Sequence, residues 1–233
     1  MKTIKVLIIV LVALGTGACE YDNYDAPGSK FEGRVIYQGA PLQVDSRDLK
    51  MELWEIGWKK KIKIDVQVSQ EGTFSALLFD GDYKLYIPRN TVPFKVPVND
   101  KTHSDTLLVE IRGSQTLDIE VTPYYVVKNT AMSNTGRKIN ATFSLEQIIT
   151  DANAKNVDEV FLYVSKTNLV ASRDDVGGVV SVKGADITDL NHVTLSREVQ
   201  ALTPDQPYVF ARVGVKLAGV EYLIYSPVQK IQF

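Results

Sequence analysis

Apolar residues recur at every second position along most of this chain, and that period limits what it can fold into more than any other feature. Successive side chains of a β-strand point to opposite faces, so such runs specify strands with one face turned inward. Phe31, Gly33, Val35 and Tyr37 form the first set, and Leu49, Met51 and Leu53 the second. Ile62, Ile64, Val66 and Val68 follow, then Phe74, Ala76 and Leu78, then Tyr83, Leu85 and Ile87. Leu107, Val109 and Ile111 alternate again, as do Leu117, Ile119 and Val121. Turn chemistry separates the runs at Gln38-Gly39-Ala40-Pro41, Gln70-Glu71-Gly72 and Asp80-Gly81-Asp82. At the last of these, glycine is expected at positive φ with Asp capping the backbone. Residues 88–105, with Pro88, Pro93 and Pro97, read as loop.

Thr122-Pro123-Tyr124-Tyr125 marks a boundary, because proline cannot donate to a central ladder. The two tyrosines are expected to plug the domain junction. Beyond it a second series begins with Ile139, Ala141, Phe143 and Leu145. Ser144 and Gln147 are spaced as a capping box, which predicts a short helix carrying Leu145, Ile148 and Ile149. Val160, Leu162 and Val164 read as a strand, Gly177-Gly178 as a turn, and Val193 with Leu195 as a further strand. Val209, Ala211, Val213 and Val215 pair as a hairpin with residues 222–226. The expected fold class is therefore all-β, with two β-sandwich domains in tandem at 31–122 and 123–233. The two halves share no sequence period, so they are not an internal repeat.

The N-terminus carries a different signal. Lys2 and Lys5 precede an apolar run from Val6 to Leu14, and Gly15-Thr16-Gly17-Ala18 leads into Cys19. This is the pattern of a secretory signal peptide over 1–18. The run is too short to cross a bilayer, which takes about 20 residues. Cys19 is the sole cysteine, so there is neither a disulfide framework nor a thiolate metal site. Its context resembles a bacterial lipobox, with Thr16 in place of the usual Leu, and implies lipidation of Cys19. Residues 19–30 are polar, hold Pro27 and Gly28, and read as a tether. The acidic Glu20, Asp22 and Asp25 resemble a signal for export to the outer surface. The expected location is thus the outer membrane, facing outward. Losing Lys2 and Lys5 takes the formal charge from −2 to −4, which gives no basic excess for nucleic acid. The cluster Lys59, Lys60, Lys61 and Lys63 reads as a solvated loop or a protected strand edge.

Little in the chain points to catalysis. His103 and His192 are the only histidines, and neither has a partner at metal-ligand spacing. His103 lies beside Ser104 and Asp105 in a polar loop, where a solvated histidine is the simpler reading. Glu52 and Glu55, or Asp80 and Asp82, could pair as a glycosidase acid and base only if a cleft separated them suitably. Asp80-Gly81-Asp82 lacks the further ligands of a calcium loop. No phosphate-binding glycine loop or nucleophile elbow occurs, so no cofactor, metal or enzymatic activity is expected. The aromatic residues are more informative. Trp54 and Trp58 stand four apart, and on one continuous strand both would face away from Leu49, Met51 and Leu53. Exposed indoles of this kind stack on the C–H faces of sugar rings. The alternative is that either packs against the second domain or over the sandwich edge.

The order Gly33-Arg34-Val35-Ile36, Gly39-Ala40-Pro41-Leu42, Glu71-Gly72-Thr73-Phe74 and Asp80-Gly81-Asp82-Tyr83-Lys84-Leu85 resembles the carboxypeptidase-regulatory-like, transthyretin-like sandwich. The whole chain resembles more narrowly a family of two-domain surface lipoproteins of gut Bacteroidetes. The residues concerned are Cys19-Glu20-Tyr21-Asp22-Asn23-Tyr24, Glu52-Leu53-Trp54-Glu55-Ile56-Gly57-Trp58 and Val121-Thr122-Pro123-Tyr124-Tyr125. In that family a transthyretin-like domain precedes an immunoglobulin-like or fibronectin-like one, and the genes neighbour starch-utilisation-type transporters. The resemblance implies a non-catalytic role in glycan capture or uptake and supplies no binding residues. Two functions therefore stand open: carbohydrate binding through Trp54 and Trp58, or docking on an outer-membrane transport complex without sugar contact.

Overall fold

The computed structural model describes residues 25–57, 60–89, 91–99 and 102–233; residues 1–18, expected as a signal peptide, and Cys19 and Trp58 lie outside the described residues. The first apolar series becomes β1 (Ser29–Tyr37), β2 (Ala40–Pro41), β3 (Lys50–Glu55), β4 (Lys63–Gln67), β5 (Thr73–Leu78) and β6 (Gly81–Tyr86). It continues as β7 (Phe94–Lys95), β8 (Thr106–Ile111), β9 (Gln115–Thr116), β10 (Ile119–Glu120) and β11 (Thr122–Pro123). One sheet gathers β2, β5, β9 and β10 around β1, and the other runs β4-β3-β6-β8. Their facing sides meet in one core. Phe31, Val35, Phe74 and Leu78 come from the first sheet, and Met51, Leu53, Val66, Tyr83, Leu85, Val109 and Ile111 from the second. Gly33 sits where no side chain fits: a Cβ there would stand 1.8 Å from the Leu117 carbonyl oxygen. That close crossing is where the closing segment breaks into β9 and β10.

The second series becomes β12 (Tyr125–Thr135), β13 (Lys138–Gln147), β14 (Val157–Ser165), β15 (Val180–Lys183), β16 (Val193–Glu198), β17 (Tyr208–Leu217), β18 (Ile224–Tyr225) and β19 (Gln229–Gln232). Sheet β12-β13-β16 packs on sheet β15-β14-β17-β18, to which β19 adds through β17. Ile139, Phe143 and Leu195 meet Leu162, Val209 and Val213 in this core. The chain is all-β with two domains in tandem.

Three local expectations are corrected, and one strand appears that was not expected. The short helix after Ser144 does not form, because β13 keeps its period through Gln147 and the Ser144 hydroxyl donates to the Lys128 carbonyl at 3.3 Å. The 88–105 loop contains β7, which pairs with β11 so that Pro123 stands on a two-stranded edge. Gly81 is not a positive-φ turn residue: it opens β6, and Asp80 accepts from the Ser29 hydroxyl and from the Gly113 amide at 2.9 Å. Finally, β12 is a long strand where no alternation signalled one. A bulge between Lys128 and Ala131, with Asn129 at φ 54°, moves the inward positions from odd to even numbers. Tyr124 and Tyr125 pack on the second core, while the Tyr124 amide donates to the Pro93 carbonyl at 3.1 Å and so ties the junction.

Strands β14 and β17 are covered on both sides. One face enters the second core; the other carries Tyr163 and Arg212 and meets the segment 42–49 of the first domain. Arg212 is 1% exposed. Its Nη1 donates to the Val44 carbonyl at 2.9 Å, and its guanidinium lies 3.7 Å from the centre of the Tyr225 ring. Burial lowers the Arg212 pKa from its usual value and raises that of the Tyr225 hydroxyl. Around this centre the Tyr225 amide donates to the Gln43 carbonyl, and Gln70 Nε2 to the Asn168 carbonyl at 2.7 Å. Arg47 bridges Asp45 to Asp174, and Arg173 pairs with Asp48. The second domain is thus held by a polar, ordered interface.

Candidate functional site

The outer face of sheet β4-β3-β6-β8 is built by the same alternation that fills the core. Met51 and Leu53 go inward, so Lys50, Glu52 and Trp54 go outward. Strand pairing then sets two cross-strand rows. One runs Asp65–Glu52–Tyr86–Thr106 and the next Lys63–Trp54–Lys84–Leu108. Four strands at about 4.8 Å spacing make a platform about 15 Å across. Trp54 is half-buried at its centre. Its Nε1 donates to Glu52 Oε2 at 3.1 Å, and Glu52 Oε1 accepts from Lys63 Nζ at 2.8 Å. The indole is therefore held by its edge, leaving the ring to present a face. Lys63 also reaches Asp65 at 3.1 Å. Hydrogen bonds to Glu52 and then to Asp65 raise its pKa above the ordinary lysine value.

Two of the hollows beside this platform touch Trp54 or Glu52. One of about 260 Å³ is lined by Trp54, Glu55, Ile56, Gly57, Lys61 and Lys84. The other, about 230 Å³, lies toward the second domain, where Glu52, Lys50 and Asp48 meet Pro88, Thr91 and Tyr222. Asp48 is half-buried there, and burial, then Asp45, raises its pKa. A larger groove of about 750 Å³ lies on the opposite sheet, over Glu32, Arg34, Thr73 and Asp118. Its charges satisfy one another, Arg34 gripping Asp118, and its aromatic floor, Phe74, is 4% exposed. It offers no ring face to a ligand, so the Trp54 platform is the better candidate.

Trp54 stands on the outer face, with neighbours from its own sheet rather than the second domain. β3 ends at Glu55, and the backbone bends through Gly57 at φ 103°. The continuous strand that would have placed Trp58 beside Trp54 is thus broken, and Trp58 itself lies outside the described residues, as does Cys19. Glu52 and Glu55 are not a facing pair: Glu52 holds the indole, while Glu55 Oε1 sits 3.2 Å from where a Gly81 Cβ would be. Asp82 pairs with Arg112 at 2.8 Å. The Ser104 hydroxyl shares a hydrogen bond with Thr106 at 2.8 Å rather than meeting His103. Among the described residues, no group of three His, Cys, Asp or Glu could hold a metal ion. Lys84 and Tyr86 could not be read from sequence as site residues, because only strand pairing brings them beside Trp54 and Glu52, and Tyr222 reaches the hollow beside Glu52 only through domain docking.

The N-terminal domain of the DUF3823 proteins, a family of unknown function, matches residues 29–122, and the DUF3823_C domain, also of unknown function, matches 125–230. The chain belongs to the DUF3823 family. A crystal structure of a DUF3823 family protein from Parabacteroides merdae is 33% identical, with a TM-score of 0.75 over 89% of this chain and 100% of that one. Another, from Bacteroides ovatus, is 28% identical with a TM-score of 0.75 over 88% of this chain and 98% of that one. A proposed carbohydrate binding protein from Bacteroides uniformis shares the fold at 19% identity, with a TM-score of 0.70 over 89% of this chain and 100% of that one. No protein of curated function matches.

Proposed function

We propose that this DUF3823 protein is a non-catalytic lipoprotein, anchored through Cys19 and displayed on the outer membrane, that holds carbohydrate on the Trp54 platform. One observation carries the reading: an indole pinned by Glu52 at the centre of an open sheet face, among hydrogen-bonding side chains and beside shallow hollows. Sugars need that combination, an apolar ring surface ringed by polar groups. The fold-relative from Bacteroides uniformis is itself a proposed carbohydrate binding protein, which agrees with the reading without deciding it. Service to a glycan-uptake transporter is the setting we propose.

Affinity electrophoresis of a soluble form starting at residue 20, run against a panel of polysaccharides, tests this. At least one glycan should retard the protein. Trp54→Ala should weaken that retention by about thirty-fold, the effect of losing an aromatic anchor worth about 2 kcal/mol. Its melting temperature should stay near that of the parent. Retention unchanged in a folded Trp54→Ala protein would remove the platform from the account. A second reading rests on Leu108 and Ile56, which are 65% and 47% exposed at the rim. If no glycan is retained, docking of this rim on a transport complex becomes the better reading.

A further inference from the structure

The charges of the platform are unevenly matched. Its carboxylates are engaged: Glu52 and Asp65 by Lys63, Asp82 and Glu110 by Arg112. Apart from Lys63, its lysines are not. In the N-terminal domain Lys30, Lys63 and Lys95 each have a carboxylate within ion-pair distance. Among the described lysines of this domain, those without one are Lys50, Lys60, Lys61 and Lys84, and all four lie on this face or in the bend that joins its first two strands. Lys84 stands directly opposite Trp54 across the β3–β6 ladder, and Lys61 closes the same 260 Å³ hollow. Glu55 also lines that hollow, with its Oε1 turned toward Gly81 and no ion pair to either lysine. In a chain of negative formal charge, the unpaired lysines of the N-terminal domain therefore gather on the sheet face that carries Trp54 and at its margin.

We propose, resting on the carbohydrate reading above, that the glycan held here is acidic. A sugar ring lies on Trp54, while Lys84 and Lys61 meet carboxylate or sulfate groups carried by the chain. Both anions suit an ammonium, which binds as a point charge with no demand for a planar partner.

The test repeats the electrophoresis with polygalacturonate, chondroitin sulfate, xylan and starch, each at low and high salt. Lys84→Gln, Lys61→Gln and the double variant are run beside the parent. The acidic polymers should retard the parent more than the neutral ones. Retention by polygalacturonate alone assigns the contact to uronate carboxylates, and retention by chondroitin sulfate alone or more strongly assigns it to sulfate esters. Either single variant should weaken retention by up to about five-fold, the effect of one exposed ion pair. The double variant should weaken it by up to about twenty-five-fold if the two act independently. High salt should weaken the parent toward the level of the double variant. The replaced side chains are exposed, so the melting temperature should not move. Retention by xylan or starch that is indifferent to salt and to both lysines would overturn the acidic glycan and leave the carbohydrate reading standing. Retention by no polysaccharide would overturn both. Equal retention by polyglutamate, unaffected by Trp54→Ala, would also overturn the proposal, since charge alone would then explain it.

Discussion

Replacing Asp175 by Ala should lower the unfolding free energy by about 3–5 kcal/mol, the cost of leaving a buried cation without its partner. The cation is Arg197, whose side chain is 2% exposed, and the side chain of Asp175 is 4% exposed. Arg197 reaches both carboxylate oxygens, Nη2 donating to Oδ2 at 2.9 Å, and also donates to the Leu162 and Val176 carbonyls. Asp175 Oδ1 in turn accepts from the Val164 amide at 2.8 Å. The pair thus stitches β16 to β14 and to the loop before the Gly177-Gly178 turn. Without Asp175 a guanidinium, a strand amide and a loop all lose their anchor. Thermal unfolding followed by circular dichroism should show a midpoint lower by roughly 6–20 °C. The double variant Asp175→Leu with Arg197→Met should lose less than Asp175→Ala alone, because it strands no charge. A double variant as unstable as the single one would show that shape, rather than charge, governs the site.

Arg212→Ala should have the next largest effect, and a different character. It removes the hydrogen bond to the Val44 carbonyl, worth about 1.5–3 kcal/mol for a charged donor, and a desolvated cation–π contact of about 2 kcal/mol. The cost of burying that cation offsets part of this, leaving a net loss of about 2–3 kcal/mol. The loss falls on the joint between domains. Calorimetry of the parent should therefore show one unfolding transition, and the variant two, as each sandwich melts on its own core. Arg212→Met keeps the volume and should restore packing against Tyr225 without restoring the link to Val44. Two transitions already present in the parent would mean that the domains are not coupled.

Most of the fold could be read from the sequence because each half-buried strand shows its inward face directly. The alternations at Met51–Leu53, Ile139–Leu145 and Val209–Val215 became strands with those residues inside. Strand β12 was missed for a local reason: one bulge reversed its parity and erased the period. Arg212 was missed for a tertiary one. It occupies an outward position of β17, where a charged residue ordinarily meets water, and only docking of segment 42–49 buries it. Trp54 could be read as an outward aromatic by counting from Leu53. Its companions could not, since Lys63 and Lys84 are 9 and 30 residues away in sequence and meet it only through register. The bend at Gly57 likewise lay beyond alternation, which assumes that a strand continues.

Whether sugar lies on Trp54 is tested most directly by nuclear magnetic resonance. The chain has two indole N–H signals, from Trp54 and Trp58, and a Trp58→Phe variant tells them apart. Oligosaccharides of the retarding polysaccharide would be titrated into the labelled protein. The account predicts that the Trp54 indole signal shifts in a saturable way, together with the amides of Glu52, Lys84 and Tyr86, while those of Glu32 and Thr73 on the opposite sheet stay in place. A saturable shift confined to Glu32, Thr73 and their neighbours, with the Trp54 indole unmoved, would contradict it.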